Sequence, residues 1–173
     1  MMFDVLREFD RNDVACRIAN QKNYPGWGFM IESGATTLWE TWAYPENFPS
    51  QNHPMFGSID EWFYRSLLGI NAISPGFDTI LIKPQPTNEV TGAKGEYKSV
   101  KGPIRSSWST TDKKFHIQVS IPPNSIARLE IPAHDGAPVL VDGKSLEAIR
   151  YKDGYAILQL GSGDYLLETI WPR

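Results

Sequence analysis

Two segments stand out in this sequence: Tyr24-Pro-Gly-Trp-Gly-Phe-Met-Ile-Glu-Ser-Gly-Ala-Thr-Thr-Leu-Trp-Glu-Thr-Trp42 and Asn52-His-Pro-Met-Phe-Gly-Ser-Ile-Asp-Glu-Trp-Phe-Tyr-Arg65. They contain four of the six tryptophans, Trp27, Trp39, Trp42 and Trp62. Glycine and proline recur through both segments, which indicates that much of residues 24–57 is loop. Loops that combine aromatic rings with carboxylates are typical of sugar sites, because rings pack on the C–H faces of sugars and acids bind their hydroxyls.

The composition is that of an ordinary globular protein of 173 residues with a net charge of −3. It contains no basic block and no apolar run near the roughly 20 residues of a membrane helix, so we expect neither a nucleic-acid partner nor a membrane. Cys16 is the single cysteine, which excludes a disulfide within the chain and a cysteine-based metal site. We expect a buried Cys16 thiol.

A helical pattern begins directly at the N-terminus. The basic stretch and the apolar stretch that together mark a signal peptide are not found there. Two interpretations follow. Either the protein is cytoplasmic, or the chain begins inside a longer one.

The first part of the chain is predicted to be helical. Apolar spacing favours two helices within residues 3–20, the second capped by Asn12. Ser58 and Glu61 have the spacing of a capping box for a helix of about 11 residues that Gly69 ends. These few helices bury too little surface to fold alone, and we therefore expect residues 1–74 to be the end of a larger α-domain. We also expect them to expose apolar surface that leads to self-association.

From Pro75 the apolar pattern changes to a period of two. This predicts short strands, and the second domain, residues 75–173, is expected to be an antiparallel β-sandwich that can fold alone. The fold class is therefore α+β in two parts. The predicted strands are 79–83, 94–100, 103–110, 114–121, 126–131, 137–141, 154–160 and 164–170.

The acids of the opening segments suggest glycoside chemistry. Hydrolysis of a glycosidic bond needs two carboxyl groups, one to protonate the leaving oxygen and one to act as nucleophile or to activate water. Glu40 is the natural candidate because Trp39 and Trp42 flank it. Glu32 is the second acid, and it could equally bind a substrate or the glycine-rich turn. His53 could exchange hydrogen bonds with sugar hydroxyls.

At these residues the sequence resembles the bacterial α-L-rhamnosidases of glycoside hydrolase family 78. The resemblance is carried by residues 24–42 and 52–65, continues through Ile73-Ser-Pro-Gly-Phe77 and Ile80-Leu-Ile-Lys-Pro-Gln-Pro86, and covers essentially the whole chain. It implies the last helices of an (α/α)6 barrel followed by the family's C-terminal sandwich. Members of this family occur both inside and outside the bacterial cytoplasm.

The resemblance also implies roles for single residues. The family hydrolyses terminal α-L-rhamnose with inversion and needs no metal or other cofactor. Its general base matches Glu40, a sugar-contacting histidine matches His53, and Trp39 and Trp42 match the aromatic lining. Its general acid lies in an earlier barrel motif that residues 1–23 do not match, so we expect this chain to be inactive without the rest of the barrel, supplied by an upstream segment or a partner chain.

Two other functions stay open at this point. The chain could be a non-catalytic carbohydrate-binding β-sandwich module with a helical appendage. It could also be a structural fragment that binds nothing until an N-terminal partner completes the barrel.

Overall fold

A computed structural model describes residues 2–43, 50–111, 113–146 and 149–171 of the chain. Two compact units are present, Met1–Phe63 and Tyr64–Arg173. The domain boundary expected between residues 74 and 75 stays a prediction. Within the described ranges, no helix is both long enough and apolar enough to cross a membrane.

The first unit is built from short helices, as the sequence predicted. Aromatic rings and small apolar side chains form its interior, including the predicted buried thiol of Cys16, which is 1% exposed. The helices are α1 (Met2–Glu8), α2 (Asn12–Ala19), α3 (Trp27–Glu32) and α4 (Ser58–Trp62), with a 3-10 turn at Pro54–Phe56. A π-helical turn, Phe63–Leu67, begins at the last residue of this unit and continues into the second.

Both helix caps expected from the sequence are wrong. Arg11 occupies the N-cap position of α2. Asn12 is the first residue of the helix and is buried, and its Oδ1 accepts a hydrogen bond from Trp62 Nε1 at 2.7 Å. Ser58 is the first residue of α4, and Gly57 precedes it with helical dihedrals. A capping residue needs non-helical backbone dihedrals. The backbone is already helical at Gly57, after the turn Pro54–Phe56, so Ser58 cannot act as the N-cap.

The second unit is a two-sheet β-sandwich. A five-stranded sheet has the order β1-β2-β6-β10-β9, and a six-stranded sheet has the order β3-β4-β5-β11-β7-β8. The strands are β1 (Ile70–Ala72), β2 (Thr79–Ile82), β3 (Gly92–Ser99), β4 (Gly102–Thr111), β5 (Lys114–Ile121), β6 (Ile126–Pro132), β7 (Leu140–Val141), β8 (Lys144–Ser145), β9 (Arg150–Lys152), β10 (Tyr155–Leu160) and β11 (Gly163–Ile170).

The sandwich is antiparallel except where β2 pairs with β6 in parallel. The sequence missed β1, β8 and β9, which have only two or three residues each and show no alternation. Two of them belong to hairpins that the sequence marked only as turns, Asp142-Gly143 and Asp153-Gly154. All four of these turn residues have φ between 50° and 80°, the type I′ geometry that suits a two-residue hairpin loop.

The core of the sandwich lies between the two sheets. Its largest fully buried side chains lie at alternate positions along the strands, on the face of each sheet that meets the other. Trp108 is 3% exposed and belongs to this core, as expected. The alternation predicted for Ile117, Val119 and Ile121 is confirmed, since all three are buried. The core therefore follows directly from the period of two in the sequence.

The first unit exposes large apolar side chains, as the sequence predicted for helices without their barrel neighbours. Phe9 is 73% exposed, Ile31 70%, Met55 60% and Val5 54%. Side chains of this size on α1 and α3 are typical of surface that another element covers.

We predict that Ile117→Ala destabilises the sandwich by about 2–5 kcal/mol, because it empties a core position that the surrounding strands cannot refill. Urea unfolding followed by tryptophan fluorescence measures this change. Ile170→Ala is the matched control, since Ile170 lies on β11 of the same sheet but is 45% exposed, and it should cost well under 1 kcal/mol. Equal losses in the two variants would contradict the placement of the core.

Candidate functional site

Two segments of the first unit, 36–43 and 50–53, are joined by two hydrogen bonds. The backbone N–H of His53 donates to the carbonyl oxygen of Leu38 at 2.9 Å. The Thr37 hydroxyl donates to the carbonyl oxygen of Gln51. Because Leu38 lies two positions before Glu40, these bonds place His53 beside the segment that carries the predicted general base.

An aromatic cluster, formed by Phe3, Trp27, Trp42, Phe56 and Trp62, supports these segments. Trp42 stacks on Phe56 with 3.7 Å between the ring centroids, and Trp27 and Trp42 meet edge to face with their centroids 4.9 Å apart. Phe3 packs between Trp27 at 5.4 Å and Trp62 at 5.3 Å. Ring pairs at these separations add directional stabilisation to the area they bury, so they fix the loop as well as the helices.

A hydrogen bond connects the cluster to the loop backbone. Trp27 Nε1 donates to the carbonyl oxygen of Phe56 at 3.1 Å. Trp27 is buried, so this bond ties the loop to the interior of the unit.

Glu40 is half-buried and lies between a buried and a half-buried tryptophan. No described residue forms a hydrogen bond or an ion pair with its carboxylate. Polar side-chain atoms that are buried usually have a hydrogen-bond partner. An uncommitted carboxylate is available to a water molecule or a substrate hydroxyl, which is what a general base requires.

Trp39 and Trp42, the two predicted aromatic contacts, occupy different environments. Trp39 is 5% exposed and forms part of the interior of the first unit. Trp42 is half-buried and stacks on Phe56 through its ring. Of the two, Trp42 therefore has more ring surface available to a ligand.

His53 is half-buried at the start of the 3-10 turn, and its ring caps that turn. Its Nδ1 accepts a hydrogen bond from the backbone N–H of Met55 at 3.1 Å. A neutral imidazole that accepts at one nitrogen carries its proton on the other. His53 therefore presents Nε2–H as a donor for a substrate hydroxyl or carboxylate.

Glu32 lies at the end of α3 and binds a neighbouring lysine, not the glycine-rich turn. Its Oε1 is 2.7 Å from Lys22 Nζ, and both side chains are exposed. The hydrogen bond to Glu32 and its charge raise the pKa of Lys22. Glu32 therefore has a structural partner, in contrast to Glu40.

The sequence did not single out Phe3 and Phe56, which complete the aromatic cluster. The pattern of residues 3–20 places Phe3 in a predicted helix without indicating its ring partners, and Phe56 lies in a 3-10 turn that gives no periodic signal. The sequence also did not predict a groove of about 270 Å³ in the same unit, which is lined by Trp27, Met30, Ile31 and residues 35–38.

Family comparisons match both parts of the chain. Residues 1–67 match the bacterial alpha-L-rhamnosidase 6 hairpin glycosidase domain, and residues 69–145 match the bacterial alpha-L-rhamnosidase C-terminal domain. The chain belongs to the bacterial α-L-rhamnosidases. The sequence resemblance, the fold class of barrel-end helices followed by a β-sandwich, and membership of the glycosidases are thereby confirmed.

Curated α-L-rhamnosidases are similar along almost the whole chain. The Streptomyces avermitilis protein is 34% identical over 95% of this chain, and the Alteromonas sp. protein is 32% identical over 98%. The matched regions make up only 16% and 19% of those relatives. This chain therefore spans less than a fifth of the length of either rhamnosidase.

Solved α-L-rhamnosidases share the fold. The Dictyoglumus thermophilum enzyme superposes with a TM-score of 0.90 at 34% identity, covering 97% of this chain and 20% of that enzyme. The Streptomyces avermitilis enzyme, solved in complex with L-rhamnose, gives a TM-score of 0.87 at 32% identity over 96% of this chain and 17% of its own.

We predict that Thr37→Val accelerates hydrogen exchange of the His53 amide by about two- to tenfold, because the loss of one hydrogen bond costs about 0.5–1.5 kcal/mol locally. Amide exchange by NMR measures the rate. Thr36→Val is the matched control, since Thr36 is a neighbouring exposed threonine that takes no part in the hydrogen bond between Thr37 and Gln51. If both variants exchange at the same rate as the unmodified chain, the Thr37–Gln51 bond does not hold the segments together.

Proposed function

We propose that this chain is the C-terminal part of an inverting α-L-rhamnosidase that hydrolyses terminal α-L-rhamnose from glycosides. Family membership supports the reaction class, and the solved relative that binds L-rhamnose supports the sugar. The observation that carries the proposal is the Glu40 carboxylate. It is half-buried, uncommitted among the described residues, and next to the segment that bears His53.

In this proposal Glu40 is the general base. Its carboxylate takes a proton from a water molecule while the water oxygen forms a bond to the anomeric carbon. The bond from that carbon to the leaving oxygen breaks on the opposite face, and a general acid protonates the leaving group. Attack from the opposite face inverts the configuration at the anomeric carbon.

The neighbouring residues bind the sugar. We assign His53 Nε2–H to a rhamnose hydroxyl and the half-buried ring of Trp42 to an apolar C–H face. The assignments of Trp39 and Glu32 stay predictions with less support, because Trp39 is buried and Glu32 is ion-paired with Lys22.

The 173-residue chain is proposed to be inactive alone. Inverting hydrolysis needs a second carboxyl group to protonate the leaving oxygen, and residues 1–23 do not match the motif that supplies this acid in the family. The remainder of the barrel, from an upstream segment or a partner chain, is proposed to complete the site.

We predict that the isolated chain does not release the phenol from an aryl α-L-rhamnoside. When it is joined to the unmatched remainder of the Dictyoglumus thermophilum α-L-rhamnosidase, the assembly should hydrolyse the substrate. Glu40→Gln in that assembly should then lower kcat by about 10²–10⁴-fold with little change in KM, because it removes a general base and keeps the shape.

Glu61→Gln is the matched control for this experiment, since Glu61 is an exposed acid on α4 in the same unit. It should leave kcat within twofold. Turnover by the isolated chain that Glu40→Gln abolishes would overturn the claim of inactivity. Full activity of the assembly with Glu40→Gln would overturn the role of Glu40.

The exposed apolar side chains of the first unit are proposed to cause self-association when the rest of the barrel is absent. Sedimentation velocity of the chain should show oligomers that dissociate on Phe9→Ser and Ile31→Ser. Val100→Ser is the control, because Val100 is 86% exposed but lies in the sandwich unit. A monodisperse monomer would refute the proposal.

A further inference from the structure

The outward face of the six-stranded sheet contains a polar groove that the proposed hydrolysis does not use. It has a volume of about 570 Å³ and is formed by β3, β4 and β5. That volume falls within the range of about 300–1,000 Å³ that is usual for small-molecule sites. The outward side chains that line it are Lys94, Glu96, Arg105, Ser107, Gln118 and Ser120.

The register of the strands arranges these side chains in two rows. In one row, Lys94 pairs with Ser107, and Ser107 pairs with Gln118. In the other row, Glu96 pairs with Arg105, and Arg105 pairs with Ser120. Neighbouring strands lie about 4.8 Å apart and successive outward residues about 6.8 Å apart, so the six side chains surround a patch the size of a sugar ring.

The shape of the groove follows from the sizes of its residues. Ser107 and Ser120 are small and half-buried, whereas the longer Lys94, Arg105 and Gln118 around them are exposed. Inward neighbours on the same strands, Trp108 and Ile117 among them, are buried in the core and hold the floor in place. Each serine lies opposite longer side chains on the neighbouring strands, so the surface is lower at the two serines and forms a concave site on the rigid sheet.

The groove offers a mixed set of hydrogen-bonding groups. The Gln118 amide and the two serine hydroxyls can both donate and accept, so they match the hydroxyls of a saccharide. Arg105 Nε is 2.8 Å from Glu96 Oε2, so these two charges neutralise each other. Lys94 has no ion-pair partner among the residues that the structure describes, which leaves one net positive charge in the groove.

We propose that this groove binds a saccharide that carries a carboxylate. The Lys94 ammonium pairs with the carboxylate, and Gln118, Ser107 and Ser120 bind ring hydroxyls. A phosphate or sulfate ion fits less well, because Glu96 offsets one of the two cations and the remaining lining groups recognise hydroxyls. The lining residues include no aromatic ring, so binding rests on hydrogen bonds and one charge pair, and we expect a Kd of about 1 mM.

The test is an NMR titration of the 173-residue chain with disaccharides that contain glucuronic or galacturonic acid, each compared with its neutral counterpart. At least one acidic disaccharide should shift the amide signals of β3, β4 and β5 and bind more tightly than its neutral counterpart. Raising the salt concentration should weaken this preference, because exposed charge pairs are screened. The assay involves no hydrolysis, so its result is independent of the role of Glu40.

Two variants assign the contacts. Lys94→Gln should weaken binding of the acidic disaccharide by about two- to fivefold, which is the range expected for an exposed charge pair. The affinity for the neutral disaccharide should stay unchanged. Gln118→Ala should lower the affinity for both disaccharides. Lys144→Gln, at the opposite edge of the same sheet, is the matched control for the loss of charge and should change neither affinity.

Three results would overturn the proposal. The first is the absence of shifts in β3–β5 with every acidic disaccharide at 20 mM, about twenty times the expected Kd. The second is equal binding of acidic and neutral sugars, or of inorganic phosphate. The third is an equal effect of Lys94→Gln and Lys144→Gln, which would mean that only net charge matters.

Discussion

The hydrogen bond from the His53 amide to the Leu38 carbonyl, at 2.9 Å, joins two segments that have no regular secondary structure of their own. A loop can position functional side chains only when its backbone has partners elsewhere, and this bond supplies one. The stacking of Trp42 on Phe56 adds a further connection, because Trp42 belongs to the first segment and Phe56 to the 3-10 turn that follows the second. Everything proposed for Glu40 and His53 depends on these contacts and on the bond between Thr37 and Gln51.

The two units of the chain are stabilised by different means. The sandwich buries regular rows of isoleucine, valine and leucine between two sheets, which is sufficient for a unit of this size. The helical unit has helices of five to eight residues, too short to be stable by themselves. It relies on aromatic rings and a buried bond between Trp62 and Asn12. The large apolar side chains that the helical unit exposes, Phe9 and Ile31 among them, are where its proposed barrel neighbours would pack.

Sequence reasoning succeeded where a period or a specific motif was present. The alternation at Ile117 to Ile121 predicted strand β5, and the segment around Trp39 and Glu40 identified the family. It failed at the caps of α2 and α4, because Asn12 and Ser58 have the residue types of caps while distant contacts and a preceding turn decide the backbone. The partner of Glu32 and the groove around Ser107 could not be predicted, since both depend on residues that only the folded chain brings together.

The central claim is that Glu40 activates water in an inverting reaction, and rescue by azide tests it most directly. Azide is already an anion and needs no base, so it can replace the water in a variant that lacks the carboxylate. In the assembly with the remainder of the Dictyoglumus thermophilum enzyme, Glu40→Gly with azide should recover turnover and form β-L-rhamnosyl azide, identified by the NMR signal of its anomeric proton. Formation of the α-azide, or no rescue in a variant that is folded and binds rhamnose, would contradict the account.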